Sequence, residues 1–375
     1  MPNRPRNIDS YYRPHVRELE PYVPPEALEI LAYRAGLDPA HASKLDFNEN
    51  PYGPSPRVME ALASMTNVHL YPDPIAGELR EELAAYTGMD PEEILIGSGA
   101  DELISLVVSV FVEPGDAVVD LTPTYSMYGG VTLQHAGRVV HVPRGDDWKV
   151  DVPAVLAEIE RGAKIVWVCS PNNPTGGLAT EEEIMPLLET GAPMVLDEAY
   201  FEFSRHTFAP LIRMYPNLIV LRTFSKLAGL AGLRIAYMLA NRDILGQAHK
   251  VKLPFNTTLA GQVAATAALR DRAYLAANLD ALLAERQRLV TLLREQGELN
   301  PYPSNANFLL CRTSGDAPGL HRALAARGVY VRHFPKPRID DCLRISVGRP
   351  EDTDRLLAVL EKVRPAARRA EAVRA

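Results

Sequence analysis

Residues 164–200 read KIVWVCSPNNPTGGLATEEEIMPLLETGAPMVLDEAY. An apolar run (164–170) stops at a Pro-Asn-Asn-Pro turn. A helix-like run follows (181–191), and a second apolar run (193–200) stops at Asp197-Glu198. Strand, crossover helix and strand in this order describe a β-α-β unit with parallel strands. The alternation extends both ways. ILIGS, AVVDLTP, GRVVHVP, LIVLRTFS and RIAYMLA are strand-like, whereas ELISLVVSVFV and VPAVLAEIERG are helix-like. The pattern predicts an α/β domain with a mostly parallel sheet.

Outward from this unit the texture changes. Upstream, PRVMEALASM and GELREELAAYTG have helical apolar spacing. Before them, Pro and Gly punctuate the chain, and residues 1–25 are polar and proline-rich. They read as an arm lying over something else, without the apolar centre of a signal peptide. Downstream, AATAALRDRAYLAANLDALLAERQRLVTLLREQG is helical and would bridge to a second domain. The last segment mixes strands (NFLLCRT, GVYVRHF, LRISVG) with helices, as in a small α+β domain. The closing RPAARRAEAVRA reads as a solvated helix end. These shifts divide the chain into an arm and part of the small domain (1–55), a large domain (56–265) and a C-terminal small domain (266–375).

Composition narrows the class. The 375 residues exceed one typical core, and 47% hydrophobic with 23% charged residues is ordinary for a soluble enzyme. A net charge of −7 gives no reason to expect nucleic acid or an acidic membrane surface. No apolar run approaches the roughly 18 residues of a membrane span. Cys169, Cys311 and Cys342 lack disulfide or metal spacing, which favours a reducing, cytoplasmic compartment. The nine histidines are dispersed, so no metal site is expected.

In an open α/β sheet, ligands bind beyond the carboxyl ends of the strands. Four polar groups of residues sit at such ends: Ser98-Gly99-Ala100-Asp101, Asn172-Asn173, Asp197 to Tyr200, and Thr223 to Lys226. A glycine turn opening a helix seats an anion on free N–H groups. Thr223, Ser225 and Arg234 could add donors to it. Asp197, at the end of a buried strand, suits either a helix cap or a protonated ring nitrogen, and Tyr200 could reach the same ring. Lys226 lies among small residues in TFSKLAGLAGLR, where an unpaired charge is costly unless it is at the surface or reactive. Phosphate seat, carboxylate and isolated lysine together describe a site for pyridoxal 5′-phosphate.

The motifs LDFNENPYGPSP, LYPDP, GSGADELI, PTYSMY, SPNNPTG, DEAYFEF, LRTFSKLAGLAGLR and LRISVG, in this order, resemble the class I/II aminotransferases of the fold-type I pyridoxal-phosphate enzymes. The resemblance runs from about Tyr22 to about Val359. It implies a seven-stranded, mostly parallel sheet flanked by helices, and a small domain built from both chain ends. It implies that Lys226 bonds the cofactor aldehyde and moves the proton, and that Asp197 meets the pyridine nitrogen. Asn173 and Tyr200 would bond the ring oxygen, and Tyr125 would stack on the ring. Ala100, Asp101, Thr223 and Arg234, with Ser225, would form the phosphate cup. Tyr71 would reach the partner's cofactor phosphate, making the enzyme a homodimer, and Tyr22 would cover the partner's substrate pocket. Arg344 and Arg332 match the substrate-holding arginines. Within the family the branch acting on L-histidinol phosphate, with 2-oxoglutarate as acceptor, is the first expectation. Aromatic amino-acid transamination, a lyase on the same cofactor, and a non-enzymatic ligand-binding regulator are the alternatives. Two departures stand out. HFPKPRIDDCL (333–343) lacks the usual glycine turn and adds Lys336 and Arg338. In addition, KLAGLAGLR replaces the Ala-Phe that often follows the lysine.

Overall fold

The structure is a computed structural model that describes residues 7–22, 24 and 26–363. The readings for residues 1–6 and for the basic tail at 364–375 lie outside the described residues. Twelve strands run along the described chain: β1 (Ser43–Leu45), β2 (Ile94–Gly97), β3 (Ala117–Thr122), β4 (Arg138–Pro143), β5 (Ile165–Cys169), β6 (Met194–Asp197), β7 (Leu218–Thr223), β8 (Ala236–Ala240), β9 (Leu299–Pro301), β10 (Phe308–Thr313), β11 (Val329–His333) and β12 (Cys342–Ser346).

Seven of them form one sheet in the order β2-β8-β7-β6-β5-β3-β4. All its pairs are parallel except those made by β8, which runs against both β2 and β7. The sequence explains why this sheet is buried on both faces. Along β5, Val166 and Val168 enter one apolar cluster, while Ile165, Trp167 and Cys169 enter the other. With no polar face, such a strand reads as a continuous apolar run, as parallel strands covered by helices do. Its chain then turns through SPNNPTG into the helix Glu181–Leu188. That helix starts at a capping box in which Thr180 and Glu183 satisfy each other's backbone N–H groups. Glu183 Oε1 also accepts from the Val150 N–H at 2.5 Å, tying the helix start to the loop after β4.

The other five strands form a second sheet, β1-β11-β12-β10-β9, in which β1 pairs parallel with β11 and the remaining pairs are antiparallel. Thus a strand from the N-terminal segment completes a sheet made by the C-terminal one. The long helical stretch breaks at Asp271 into Leu259–Arg270 and Arg272–Gln296. The second helix ends at Gly297, whose φ of +79° supplies a left-handed cap that bonds back to Leu293 O. Its Leu275 and Leu282 belong to the core of the large sheet, and its Leu289 and Leu293 to the core of the small one.

Candidate active site

The carboxyl ends of β5, β6 and β7 are neighbours in the sheet, so their trailing residues meet. β6 ends at Asp197, which is buried. Its Oδ1 accepts from the Ala199 N–H at 2.9 Å, and its Oδ2 accepts from the Tyr128 hydroxyl at 2.6 Å. The Tyr128 ring is itself fully buried and lies flat on Trp167, with centroids 4.8 Å apart. Burial pushes the Asp197 carboxyl up from 3.8 to about 6, against the pull of the Tyr128 and Ala199 bonds. Such a carboxyl is poised to be held as an anion by a nearby cation.

β7 ends at Thr223. The Thr223 hydroxyl donates to Ser225 Oγ at 2.9 Å and accepts from the Ser225 N–H at 3.0 Å. Lys226 follows, with Nζ donating to the Phe47 carbonyl at 3.1 Å and standing 5.5 Å from the Tyr200 ring centroid. Burial lowers its pKa from 10.5 to about 8, and the Arg344 and Arg234 guanidiniums push the same way. The glycines around it have a reason. Gly229 has φ +70°, and a Cβ there would fall 2.7 Å from the Gly53 carbonyl carbon, so the lysine loop can lie against the 46–54 segment only because the side chain is missing.

The helix Ala100–Phe111 opens after Gly99 (φ +83°) with no side-chain cap, leaving its first N–H groups directed at the site. A Cβ on Gly99 would meet the Arg234 Nη2 at 2.4 Å, so glycine turn and guanidinium share one cradle. Arg234 pairs with Asp101 Oδ2 at 3.2 Å, and Asp101 Oδ1 accepts from the Tyr125 hydroxyl at 2.9 Å. Open helix N–H groups, two hydroxyls and a guanidinium form a donor set for a phosphate. A buried carboxylate and a nucleophilic amine lie beside them. These residues fit pyridoxal 5′-phosphate.

Across from this cradle stands the wall made by the small sheet. Buried Arg344 donates from Nη1 to Asn173 Oδ1 at 2.6 Å and from Nη2 to the Asp46 carbonyl, while its Nε has no partner. Arg332 is its direct register partner across β11 and β12, so the two cations leave the sheet on the same face. Among the described residues, neither pairs with a carboxylate. Arg338, in the segment after Arg332, does not join them. Arg338 is engaged elsewhere, on the carbonyls of Arg144 and Gly145.

Of the residues expected from sequence, Ala100, Asp101, Tyr125, Asn173, Asp197, Tyr200, Thr223, Ser225, Lys226, Arg234, Arg332 and Arg344 gather here. Tyr71 does not: it is 81% exposed and stacks on Phe255 with centroids 4.6 Å apart. Tyr22, in the arm, is exposed. Sequence reasoning passed over Tyr128 and Asn48. Asn48 Nδ2 donates to the Tyr200 hydroxyl at 3.0 Å, and its Oδ1 accepts from Ser346 Oγ at 2.9 Å. Both stood inside quoted motifs, PTYSMY and LDFNENPYGPSP. Tyr128 lies three residues past Tyr125, a spacing that by itself reads as core.

A family model described as aminotransferase class I and II matches residues 41–360. The chain is 45% identical to histidinol-phosphate aminotransferase of Roseiflexus castenholzii, over 96% of this chain and all of that one. It is 44% identical to the chloroplastic histidinol-phosphate aminotransferase 1 of Arabidopsis thaliana, over 94% of this chain and 86% of the plant protein. Among solved structures, histidinol-phosphate aminotransferase from Sinorhizobium meliloti in complex with pyridoxal-5′-phosphate superposes with a TM-score of 0.85. The two are 31% identical, over 95% of this chain and 99% of that one.

Proposed function

The chain belongs to the class I and II aminotransferases, and on that premise we propose that it transfers the amino group of L-histidinol phosphate to a 2-oxo acid, 2-oxoglutarate first, forming imidazole-acetol phosphate and glutamate. Its cofactor is pyridoxal 5′-phosphate. When bound, the cofactor supplies a conjugated ring that accepts the electron pair left as a Cα–H bond breaks.

The protein supplies the rest. Ala100, Asp101, Thr223, Ser225 and Arg234 would hold the cofactor phosphate. Asp197 would keep a proton on the ring nitrogen, its Oδ2 oriented by Tyr128. Asn173 and Tyr200 would bond the ring oxygen, and Tyr125 would cover the ring face. Lys226 is both the anchoring amine and the base. Its lowered pKa leaves a useful fraction of free amine near neutral pH, and as base it would take the proton from the substrate Cα. The 46–54 segment lies against the lysine loop, with Asn50 Nδ2 donating to the Leu227 carbonyl at 2.7 Å.

One observation carries the choice of donor: two cations, Arg332 and Arg344, stand opposite each other on adjacent strands without a carboxylate partner among the described residues. Like charges so placed repel. The arrangement suits an anion that takes bonds from both, and a doubly charged phosphate does so better than a single carboxylate. The test is the visible spectrum of the holoenzyme, before and after L-histidinol phosphate is added without acceptor. Conversion of the yellow form to the amine form of the cofactor supports this donor. Conversion by L-phenylalanine alone would instead assign the site to aromatic amino acids.

We also infer a cytoplasmic homodimer in which Tyr71 reaches the partner's cofactor phosphate. The exposure of Tyr71 amid exposed Val68, Leu70, Ile75 and Leu253 supports an apolar face covered by a second copy. Three buried free thiols support a reducing compartment, and among the described residues no helix is long and apolar enough to cross a membrane. Sedimentation of the holoenzyme at micromolar concentration as a monomer would remove the dimer reading.

A further inference from the structure

The segment after Arg332 departs from the family pattern, and its added arginine is turned away from the substrate wall. The Arg338 guanidinium donates to the main-chain carbonyl of Arg144, to that of Gly145 at 3.0 Å and to Asp146 Oδ1 at 3.3 Å. It also stands 5.0 Å from the Trp148 ring centroid. These acceptors lie on the loop after β4, at the edge of the seven-stranded sheet. The grip therefore joins the two sheets.

What it holds in place is an aromatic ring. Trp148 packs in an apolar cluster with Tyr302, Leu310, Ile339, Cys342 and Phe334. The Phe334 centroid is 5.7 Å from Arg332 Cζ and 5.4 Å from Arg344 Cζ. One ring thus underlies both cations of the anion site. Two guanidiniums side by side tend to splay apart, and an aromatic ring within reach of both offsets that tendency. The ring can fix their spacing only if it is itself fixed. The edge loop is anchored on its other side as well. Buried Arg144 donates to Trp148 O at 3.1 Å and to Asn172 Oδ1 at 3.4 Å. Asn172 precedes Asn173, the residue that accepts from Arg344.

We propose that the Arg338–Trp148 tie is a positioning element for donor selectivity: it fastens Phe334 beneath Arg332 and Arg344 and so sets the distance that lets one phosphate engage both. The inference rests on the phosphate-bearing donor proposed above. A carboxylate held by Arg344 alone does not need the spacing, so loosening the tie penalises phosphate donors selectively.

The experiment compares holoenzyme variants on L-histidinol phosphate and L-phenylalanine, with inorganic phosphate as competitive inhibitor. In Arg338→Ala and Trp148→Ala, the ratio of kcat/KM for the phosphate donor to that for the carboxylate donor is expected to fall about tenfold, through KM, with kcat within about twofold. The inhibition constant of phosphate rises in parallel. Trp148→Phe, which keeps a ring, retains the ratio. Arg338→Met keeps the stem against Trp148 without the fork, and serves if the alanine variant does not fold. An unchanged ratio in the Arg338 and Trp148 variants, alongside its collapse in Arg332→Ala, would overturn the tie and leave the donor reading intact. Equal losses on both donors would make the tie a general scaffold and overturn its selective role. A wild-type enzyme without preference for the phosphate donor would overturn the donor reading, and the tie's role with it.

Discussion

The two walls of the site are built on opposite plans. On the cofactor side, charged and polar groups are already engaged: Asp197 accepts from Tyr128 and Ala199, Arg234 pairs with Asp101, and Thr223 bonds Ser225. On the substrate side, Arg332 faces Arg344 without a carboxylate among the described residues, and Arg344 Nε is unpartnered. A resident group calls for a seat of fixed shape and charge. A transient anion is best met by cations left unneutralised, because the attraction then appears only when the anion arrives.

The comparison can be broken at its strongest point first. Lys226→Ala would remove the proposed anchor and base, and kcat/KM should fall by about 10⁴-fold or more while the variant keeps its circular dichroism spectrum. Turnover near the wild-type level would sink the lysine's role. Next, Arg332→Ala is expected to lower kcat/KM for L-histidinol phosphate by about 100-fold, equivalent to ~2.7 kcal/mol, with L-phenylalanine changed by no more than about twofold. Equal losses would mean that Arg332 does not read a phosphate.

Tyr128→Phe sharpens the contrast from the cofactor side. The Tyr128 bond lowers the Asp197 pKa, so its loss raises that pKa further. The carboxylate is then lost at a higher pH as acid is added. The acid limb of the kcat/KM profile should move up, and kcat should drop about tenfold. A profile superimposable on the wild type would remove Tyr128 from the machinery.

The smallest effect concerns the apoprotein. Lys226 has a lowered folded-state pKa of about 8 against its ordinary 10.5. Below pH 8 it is charged in both folded and unfolded states, and burying the charge costs stability. Between about 8 and 10.5 the folded state has released the proton that the unfolded state keeps, so stability rises with pH. Apo Lys226→Met should therefore melt about 2–4 °C higher than the wild type at pH 7, with the gap closing by pH 10.5. A gap independent of pH would contradict the burial of this charge.

The cofactor side was legible because strand ends announce themselves. Asp197, Thr223 and Lys226 follow apolar runs, and the glycine turn at 97–99 precedes a helix. Tyr128 was not singled out because an aromatic three residues past another reads as core until its hydroxyl is seen against a carboxylate. Asn48 depends on a left-handed backbone (φ +56°) that turns its amide toward Tyr200. The facing of Arg332 and Arg344 is a matter of strand register, which residue spacing does not reveal. Tyr22 was legible only through the resemblance: it is exposed on the arm, where His15 Nε2 also lies 3.1 Å from the Gln134 carbonyl.

The helix Arg272–Gln296 bears on how the molecule comes apart. It is one rod of 25 residues, sunk at one end into each of two hydrophobic cores. Neither core can melt alone without fraying the rod at its middle, between Leu282 and Leu289. Calorimetry of the apoprotein should therefore register a single heat-absorption peak, and a proline placed at Glu285 should split it in two.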